Sequence, residues 1–168
     1  ALMAGLAGRT LQRGFLSTFN PQNVDDTAWA FATLGIQNAA LIAGLAERTM
    51  QGGFLSTFNP QAVANTAWAF AKLEIQKDPL MAGLADRTLQ QVFLSAFNPH
   101  NVANTAWAFA TLGIQNEALM AALAERTLQQ GSLSTFNPQN VANTARAFAT
   151  LGIWSEALIT GPAERTLQ

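Results

Sequence analysis

The sequence predicts an all-α fold, an α-solenoid of stacked two-helix units, and two observations predict it. A block close to FNPQNVANTAWAFATLG occurs four times, beginning at Phe19, Phe58, Phe97 and Phe136, so that successive copies lie 39 residues apart. Between the copies runs a second pattern with apolar residues at helical spacing, and no segment alternates with the period of a strand. Self-similarity of this kind is typical of arrays in which each unit packs on its neighbours.

The repeat predicts a single array over residues 1–168, with no boundary between globular domains. Its units are 1–39, 40–78, 79–117 and 118–156, followed by a half unit at 157–168. Units of this type contact mainly their neighbours and share no central core. Because the sequence begins inside one unit and ends inside another, we expect a fragment of a longer protein.

The first helix of each unit is clearest between Ala118 and Gln129. At 3.6 residues per turn its apolar face consists of Leu119, Met120, Leu123, Ala124 and Thr127. A glycine follows this pattern in three of the units and is expected to loosen the helix there. In the half unit, Pro162 takes the place of Leu123 and is expected to break or kink the helix.

The second helix of each unit has sharper boundaries. An Asn–Pro pair opens it, because Asn is favoured as the N-cap and Pro at the first helical position. These pairs begin at Asn20, Asn59, Asn98 and Asn137. Glycine is placed to end the helix in three units, and Glu74 takes that place in the second unit. The expected core face of the first unit is Val24, Ala28 and Phe31, flanked by Thr27 and Leu34.

A row of polar and aromatic residues runs along the opposite face of the second helices, at positions i, i+4, i+7 and i+11. We call it the stripe, and its members are Gln22, Asp26, Trp29, Thr33, Gln61, Asn65, Trp68, Lys72, His100, Asn104, Trp107, Thr111, Gln139, Asn143, Arg146 and Thr150. Amides suit base edges, and the planes of Trp and Arg stack on unpaired bases, so the stripe is a candidate for contact with RNA bases. The other interpretation is packing between units, since Trp buries a large apolar area. Arg146 stands where the other units have Trp. It slightly favours contact with bases over packing between units, because an unpaired buried charge is costly.

One arginine recurs in each first helix. We call this set the arginine ladder, and it consists of Arg9, Arg48, Arg87, Arg126 and Arg165. One cation per unit suits the phosphate backbone of a nucleic acid, so the ladder is a candidate for phosphate contact. The alternative is pairing with a carboxylate of an adjacent unit, for which the candidates are Glu47, Asp86, Glu125 and Glu164.

The composition argues against several classes of function. The net charge of −1 is a weak argument against nucleic acid, because phosphate contacts supply most non-specific affinity. The absence of cysteine excludes disulfides and thiolate zinc sites, and the single histidine, His100, excludes a multi-histidine metal centre. With no nucleophile–base set and no phosphate-binding loop, we expect no catalytic residue, no metal, no cofactor and no enzymatic activity. No apolar run is long enough to span a bilayer, so we expect no membrane partner.

The block ANTAWAFATLG, preceded by FNPQNV, resembles the hallmark of the octotricopeptide repeat family, which is similar to ANTLWALAKLG. The matching segments are Ala64–Leu73, Ala103–Gly113 and Ala142–Gly152, with a weaker match at Asp25–Gly35. The resemblance implies a helical-repeat array related in style to pentatricopeptide repeat proteins. It also implies binding of organellar RNA, a role in its maturation, stability or translation, and location in a chloroplast or mitochondrion. The slight net negative charge and Arg146 depart from the family pattern.

We therefore expect sequence-selective binding of single-stranded RNA, with the stripe on the bases and the arginine ladder on the phosphates, acting by occupancy. The alternative is a protein–protein interaction scaffold that binds no nucleic acid, which the low charge and abundant apolar residues favour. The exposed ends of the array also suit self-association. RNA binding requires a continuous positive track beside the stripe, whereas a scaffold requires an uncharged groove.

Overall fold

The computed structural model describes residues 1–129 and 131–153, and this part of the chain contains helices and no β-strand. The predicted all-α, solenoid-like fold is thereby confirmed. The helices are α1 (Leu2–Thr10), α2 (Pro21–Thr33), α3 (Ala39–Met50), α4 (Pro60–Lys72), α5 (Asp78–Thr88), α6 (Gln91–Ser95), α7 (Pro99–Thr111), α8 (Glu117–Leu128) and α9 (Pro138–Thr150). The first helices of the units are α1, α3, α5 and α8, and the second helices are α2, α4, α7 and α9. The half unit, with Pro162 and Arg165, lies outside the described residues.

The predicted boundaries of the second helices are confirmed. The four N-cap residues accept a hydrogen bond from the backbone N–H three residues ahead, each at 2.8 Å; they are Asn20, Asn59, Asn98 and Asn137. At the other end Gly35, Gly113 and Gly152 adopt positive φ angles of 64°, 66° and 63°. Glu74 occupies the same left-handed conformation with a φ of 57°, although it carries a side chain.

The segments between first and second helices differ because one unit lacks a glycine. Gly14, Gly53 and Gly131 adopt φ angles of 77° to 79°, and a short 3-10 helix follows each of them. These 3-10 helices are Leu16–Thr18, Phe54–Thr57 and Leu133–Thr135. Val92 takes the place of the glycine in the third unit, where the α-helix α6 forms instead.

The second helices form the tightly packed layer of the array. In α4 the alanines Ala67, Ala69 and Ala71 are fully buried, and such small side chains let neighbouring helix backbones approach closely. The second helices contact one another more extensively than the first helices do. The units therefore converge on the side of the second helices, which is also the side that carries the stripe.

Three of the five predicted core residues of the first unit are buried, Thr27 is half-buried and Leu34 is exposed. Val24, Ala28 and Phe31 are at most 2% exposed, which confirms the prediction. Leu34 was expected beside them but is 60% exposed, whereas its equivalent in the next unit, Leu73, is 2% exposed. Leu73 belongs to an inner unit, and Gln37 Nε2 of the preceding unit donates to its carbonyl oxygen at 3.1 Å.

Candidate functional site

The stripe lies on the second helices and most of its members are exposed to solvent. The exposed members are Gln22, Asp26, Trp29, Thr33, Gln61, Lys72, His100, Thr111, Gln139, Arg146 and Thr150. Asn65, Trp68, Trp107 and Asn143 are half-buried, and Asn104 is buried. The spacing of the residues therefore brings them to one accessible surface, but the amide of Asn104 is held within the array and is not available to a ligand.

The tryptophans of the stripe differ in burial between the first unit and the next two. Trp29 in the first unit is 48% exposed, whereas Trp68 and Trp107 are half-buried and packed against the core. The ring centroids of Trp68 and Trp107 lie 6.2 Å apart, with an angle of 34° between the planes. This geometry shows that the tryptophans contribute to packing between units without being fully buried, so the two interpretations of these residues are compatible.

The amides of the stripe contact one another and their neighbours. His100 Nε2 and Asn104 Nδ2 lie 3.0 Å apart, and Gln139 Nε2 donates to Asn143 Oδ1 at 2.9 Å. These pairs are one helical turn apart on the same helix. Gln61 is exposed on the same face. In the third and fourth units the structure thus pairs two stripe side chains by a hydrogen bond within the second helix.

Two grooves open along the stripe between adjacent units. The first is lined by Asp26, Trp29, Gln61, Asn65, Asn98, His100 and Asn101, and it spans the first three units. The second is lined by Trp107, Ala110, Thr111, Arg146, Ala147 and Thr150. Each combines the flat side chain of a tryptophan with hydrogen-bonding groups, which is the combination that holds a planar, polar ligand.

The arginine ladder occupies the contacts between units. Arg48 Nη2 donates to the carbonyl oxygen of Phe19 at 3.0 Å, and that phenylalanine belongs to the preceding unit. The same bond joins Arg87 to Phe58 at 3.1 Å and Arg126 to Phe97 at 2.8 Å. We call these three bonds the arginine clamps. Each clamp donates a hydrogen bond to the carbonyl oxygen of the residue directly before an N-cap. Each clamp thereby joins one unit to the unit before it.

Each clamp arginine is also held by its own unit. The guanidinium carbon of Arg48 lies 3.6 Å from the ring centroid of Phe54, and its Nη1 donates to Gln51 Oε1 at 2.9 Å. Arg87 stacks in the same way on Phe93. In the fourth unit Ser132 replaces the phenylalanine, and Arg126 Nη1 approaches its hydroxyl at 3.5 Å. The fixed plane of the guanidinium explains why arginine suits this place better than lysine.

The arginine clamps are relevant to the prediction that the arginine ladder contacts phosphates. Arg48, Arg87 and Arg126 are half-buried and donate to a carbonyl of the preceding unit, not to the neighbouring carboxylates. Arg9 is exposed, and Arg165 lies outside the described residues. Phosphate contact by the ladder stays a prediction, but the structure gives three of its members a packing role. Sequence reasoning missed that role, because each clamp joins residues of two units that lie 29 positions apart.

The first unit also contains a buried carboxyl group where the other units have alanine. Asp25 is 3% exposed, and its equivalents are Ala64, Ala103 and Ala142. Burial, and next the negative charge of Asp26, raise the pKa of Asp25 to about 7, while a hydrogen bond from Asn65 opposes the rise. The bond from Asn65 Nδ2 to Asp25 Oδ2 is long, at 3.5 Å, and Oδ1 has no partner.

Among the described residues no three histidine, cysteine or acidic side chains are grouped to hold a metal ion. No helix in that part of the chain has the length and apolar character needed to cross a membrane.

A comparison with protein-family models identifies the relatives of this array. The model of the RNA-editing substrate-binding complex 6 protein family matches residues 2–168. The chain belongs to this family. The match supports the coarser part of the resemblance described above, a helical protein associated with RNA, and does not specifically support the octotricopeptide repeat family. A search of curated proteins gives no match to the chain.

Membership in the RNA-editing substrate-binding complex 6 protein family indicates with which kind of molecule the protein is associated. The family description names RNA editing and a complex that binds the substrate, so an RNA-related function applies to the family. The surface with stacking and hydrogen-bonding groups lies on the second helices, and three arginines of the first helices, Arg48, Arg87 and Arg126, are half-buried in contacts between units.

Proposed function

We propose that this chain binds single-stranded RNA along the stripe and acts by occupancy within an assembly that holds an RNA-editing substrate. The observation that carries the proposal is the groove lined by Trp29, Gln61 and His100, where a flat ring lies beside side chains that donate and accept hydrogen bonds. Unpaired bases are recognised by such stacking and edge contacts. The proposed role is to hold or present the RNA, with no chemical step by this chain. In other helical-repeat arrays each unit contacts about one base, and we expect the same ratio here.

The charge distribution determines how this binding would depend on salt. The stripe carries two lysine or arginine side chains, Lys72 and Arg146, and both are exposed. Neutralising two phosphates of a single strand gives a slope of log affinity against log salt of about −1.4. Participation of the three clamp arginines would make the slope about −3.5. The salt slope therefore distinguishes base-dominated binding from phosphate contact by the arginine ladder.

Fluorescence anisotropy with labelled RNA homopolymers tests this proposal. We expect binding at low salt with a preference among bases and a shallow salt slope. Trp29→Ala is expected to weaken binding about tenfold, because stacking on one base contributes about 1–3 kcal/mol. Lys72→Ala is expected to weaken binding and flatten the slope, whereas Lys77→Ala removes the same charge outside the stripe and is the matched control. The absence of binding at low salt would contradict the proposal.

The second candidate function is a protein–protein interaction scaffold. It is favoured by the low fraction of charged residues, 11%, and by the half-buried tryptophans, which leave apolar surface in the grooves. A scaffold of this kind is expected to bind a partner protein through the same stripe without a preference for any RNA. If Trp29→Ala abolished binding to a partner protein and no RNA bound, the scaffold would replace RNA binding as the function.

A further inference from the structure

The groove across the first three units differs in its chemistry from the rest of the stripe. Its lining residues come from three consecutive units, so it opens along the stripe and not at an end of the array. Its volume is about 360 Å³, within the range of about 300–1,000 Å³ for small-ligand sites. None of the described residues that line it is a lysine or an arginine. The groove therefore offers no such cation to a phosphate, and a base is the part of a strand that suits it.

Asp26 gives this groove an acidic group. It is the single carboxylate of the stripe, and the equivalent residues of the other units are Asn65, Asn104 and Asn143. Asp26 is exposed, and the two oxygens of a carboxylate accept hydrogen bonds but donate none. An asparagine amide in the same place both donates and accepts. The presence of Asp in place of Asn therefore favours a ligand group that only donates.

The amides of the second and third units add further acceptors to the groove. Asn65 Nδ2 donates to Asp25 Oδ2 at 3.5 Å, which leaves the oxygen of Asn65 to accept. The Oδ1 atom of Asn101 is buried and has no hydrogen-bond partner among the described residues. Gln61 is exposed in the same groove, and its amide group can donate as well as accept.

Among the four RNA bases, guanine presents the donors that match a carboxylate. Its Watson–Crick edge carries the N1–H and the N2 amino group side by side, so each oxygen of one carboxylate accepts one hydrogen bond. Uracil presents a single N–H between two carbonyl oxygens, which a carboxylate repels. Adenine and cytosine each present an amino group beside a ring nitrogen that only accepts. Hydrogen bonds to a charged group, made in pairs, are also among the stronger ones.

Trp29 is placed to hold a base within reach of Asp26. The two residues lie three positions apart on α2, which makes them neighbours on the surface of the helix. Both line the groove. A base that stacks on the indole ring therefore has its edge close to the carboxylate. Trp68 and Trp107 instead pack against each other, with ring centroids 6.2 Å apart.

We propose that the groove of Asp26 and Trp29 binds one guanine base of a single-stranded RNA by its Watson–Crick edge. This inference rests on the RNA binding proposed above and assigns a base to one of its positions. The carboxylate of Asp26 accepts from guanine N1–H and N2–H, and the base stacks on Trp29. The amide of Gln61 donates to guanine O6. The first unit thereby distinguishes guanine from the other three bases.

Fluorescence anisotropy with four labelled strands tests this proposal. Each strand is an oligouridine whose central residue is uridine, guanosine, inosine or adenosine, with enough flanking uridines for the central base to reach any unit. The guanosine strand is expected to bind about tenfold more tightly than the uridine strand, because a bidentate contact to a base discriminates by at least that factor. Inosine lacks the N2 amino group and should gain only about threefold. Adenosine, which stacks as a purine does, should gain less than guanosine.

Two variants assign the preference to the carboxylate. Asp26→Asn introduces the residue of the other units and is expected to bring the ratio of guanosine to uridine affinity close to one. Glu47→Gln neutralises an exposed carboxylate on α3, outside the stripe, and should leave that ratio at about ten. The helical circular dichroism of each variant verifies its fold.

The results separate failure of the guanine site from failure of RNA binding. If no strand binds at low salt, RNA binding and the guanine site are both rejected. If all strands bind equally, or if the adenosine strand binds as tightly as the guanosine strand, only the guanine site is rejected. A tenfold preference for guanosine that persists in Asp26→Asn would also overturn the proposal, because another part of the chain would then recognise the base.

Discussion

Single arginines in this chain serve two units at once. Arg87 stacks on Phe93 of its own unit and donates to the carbonyl oxygen of Phe58 in the unit before it. The carbonyl lies directly before the N-cap Asn59, so the clamp fixes both the position and the start of a second helix. A charged donor makes this hydrogen bond stronger than one between neutral groups.

The clamps are expected to contribute measurably to stability. Arg87→Ala should lower the free energy of unfolding by about 2–3 kcal/mol, because a charge-assisted hydrogen bond and a cation–π contact are lost together. Arg87→Lys should lose most of this stability, since an ammonium cannot stack and donate from the same place. Urea unfolding followed by circular dichroism measures both. Arg13→Ala removes the same charge at an exposed position and should change the stability little; an equal effect of all three variants would contradict the clamp.

The carboxyl group of Asp25 makes the stability depend on pH. Its pKa of about 7 in the folded chain exceeds the ordinary value of 3.8, so between these values the folded state holds a proton that the unfolded state has lost. The contribution of Asp25 is therefore fully present at low pH and is lost as the pH rises through 7. The gain in stability from Asp25→Ala should be about 2.5 kcal/mol larger at pH 8 than at pH 5.

Urea unfolding at the two pH values measures this difference. Glu47→Ala is the matched control, because it removes an exposed carboxylate from α3. A gain that is the same at both pH values would show that Asp25 has an ordinary pKa in the folded chain.

Glu74 carries backbone strain that glycine relieves in the other units. With a φ of 57°, its backbone lies in the left-handed region, which costs about 1–2 kcal/mol for a residue with a Cβ. Glu74→Gly is expected to stabilise the chain by about 1 kcal/mol and to raise Tm. Glu74→Ala removes the charge but keeps the strain, so it should leave Tm nearly unchanged. A Tm that rises equally in both variants would assign the effect to charge.

At the level of the helices, the features that could be predicted from the sequence are those that depend on residues close together in the chain. The Asn–Pro pairs and the terminating glycines act within a few residues, so the bounds of α2, α4, α7 and α9 follow from the sequence. The same holds for the core face of α2, because it depends on helical periodicity alone. The location of α6 also has a local cause, since Val92 replaces a glycine with a positive φ in the other units.

The burial of the stripe was less predictable because it depends on the distance between neighbouring helices. The periodicity places Asn104 and Trp107 on the outer face but does not reveal how closely α4 approaches α7. The buried alanines set that distance, and the close approach buries Asn104 and half-buries Trp107. The arginine clamps were missed for the same reason, because each joins two units across 29 residues. The contacts between units are therefore the part of the structure that could not be predicted from the sequence.

For the whole molecule, the contacts between units hold the array together. Neighbouring units pack through buried leucines, valines and alanines, such as Leu45, Val63 and Ala67. If each unit contacts about one base, the stripe of the four units offers a surface for only a few bases.

Photo-crosslinking of bound RNA, followed by mass spectrometry of the linked peptides, tests the central claim most directly. A strand of photoreactive bases is expected to link to the second helices α4 and α7, at or beside the stripe. At limiting protein concentration the yield of these links should fall about tenfold in Trp29→Ala. Links confined to the first helices α3 and α5, or no links under conditions of binding, would contradict recognition of RNA by the stripe.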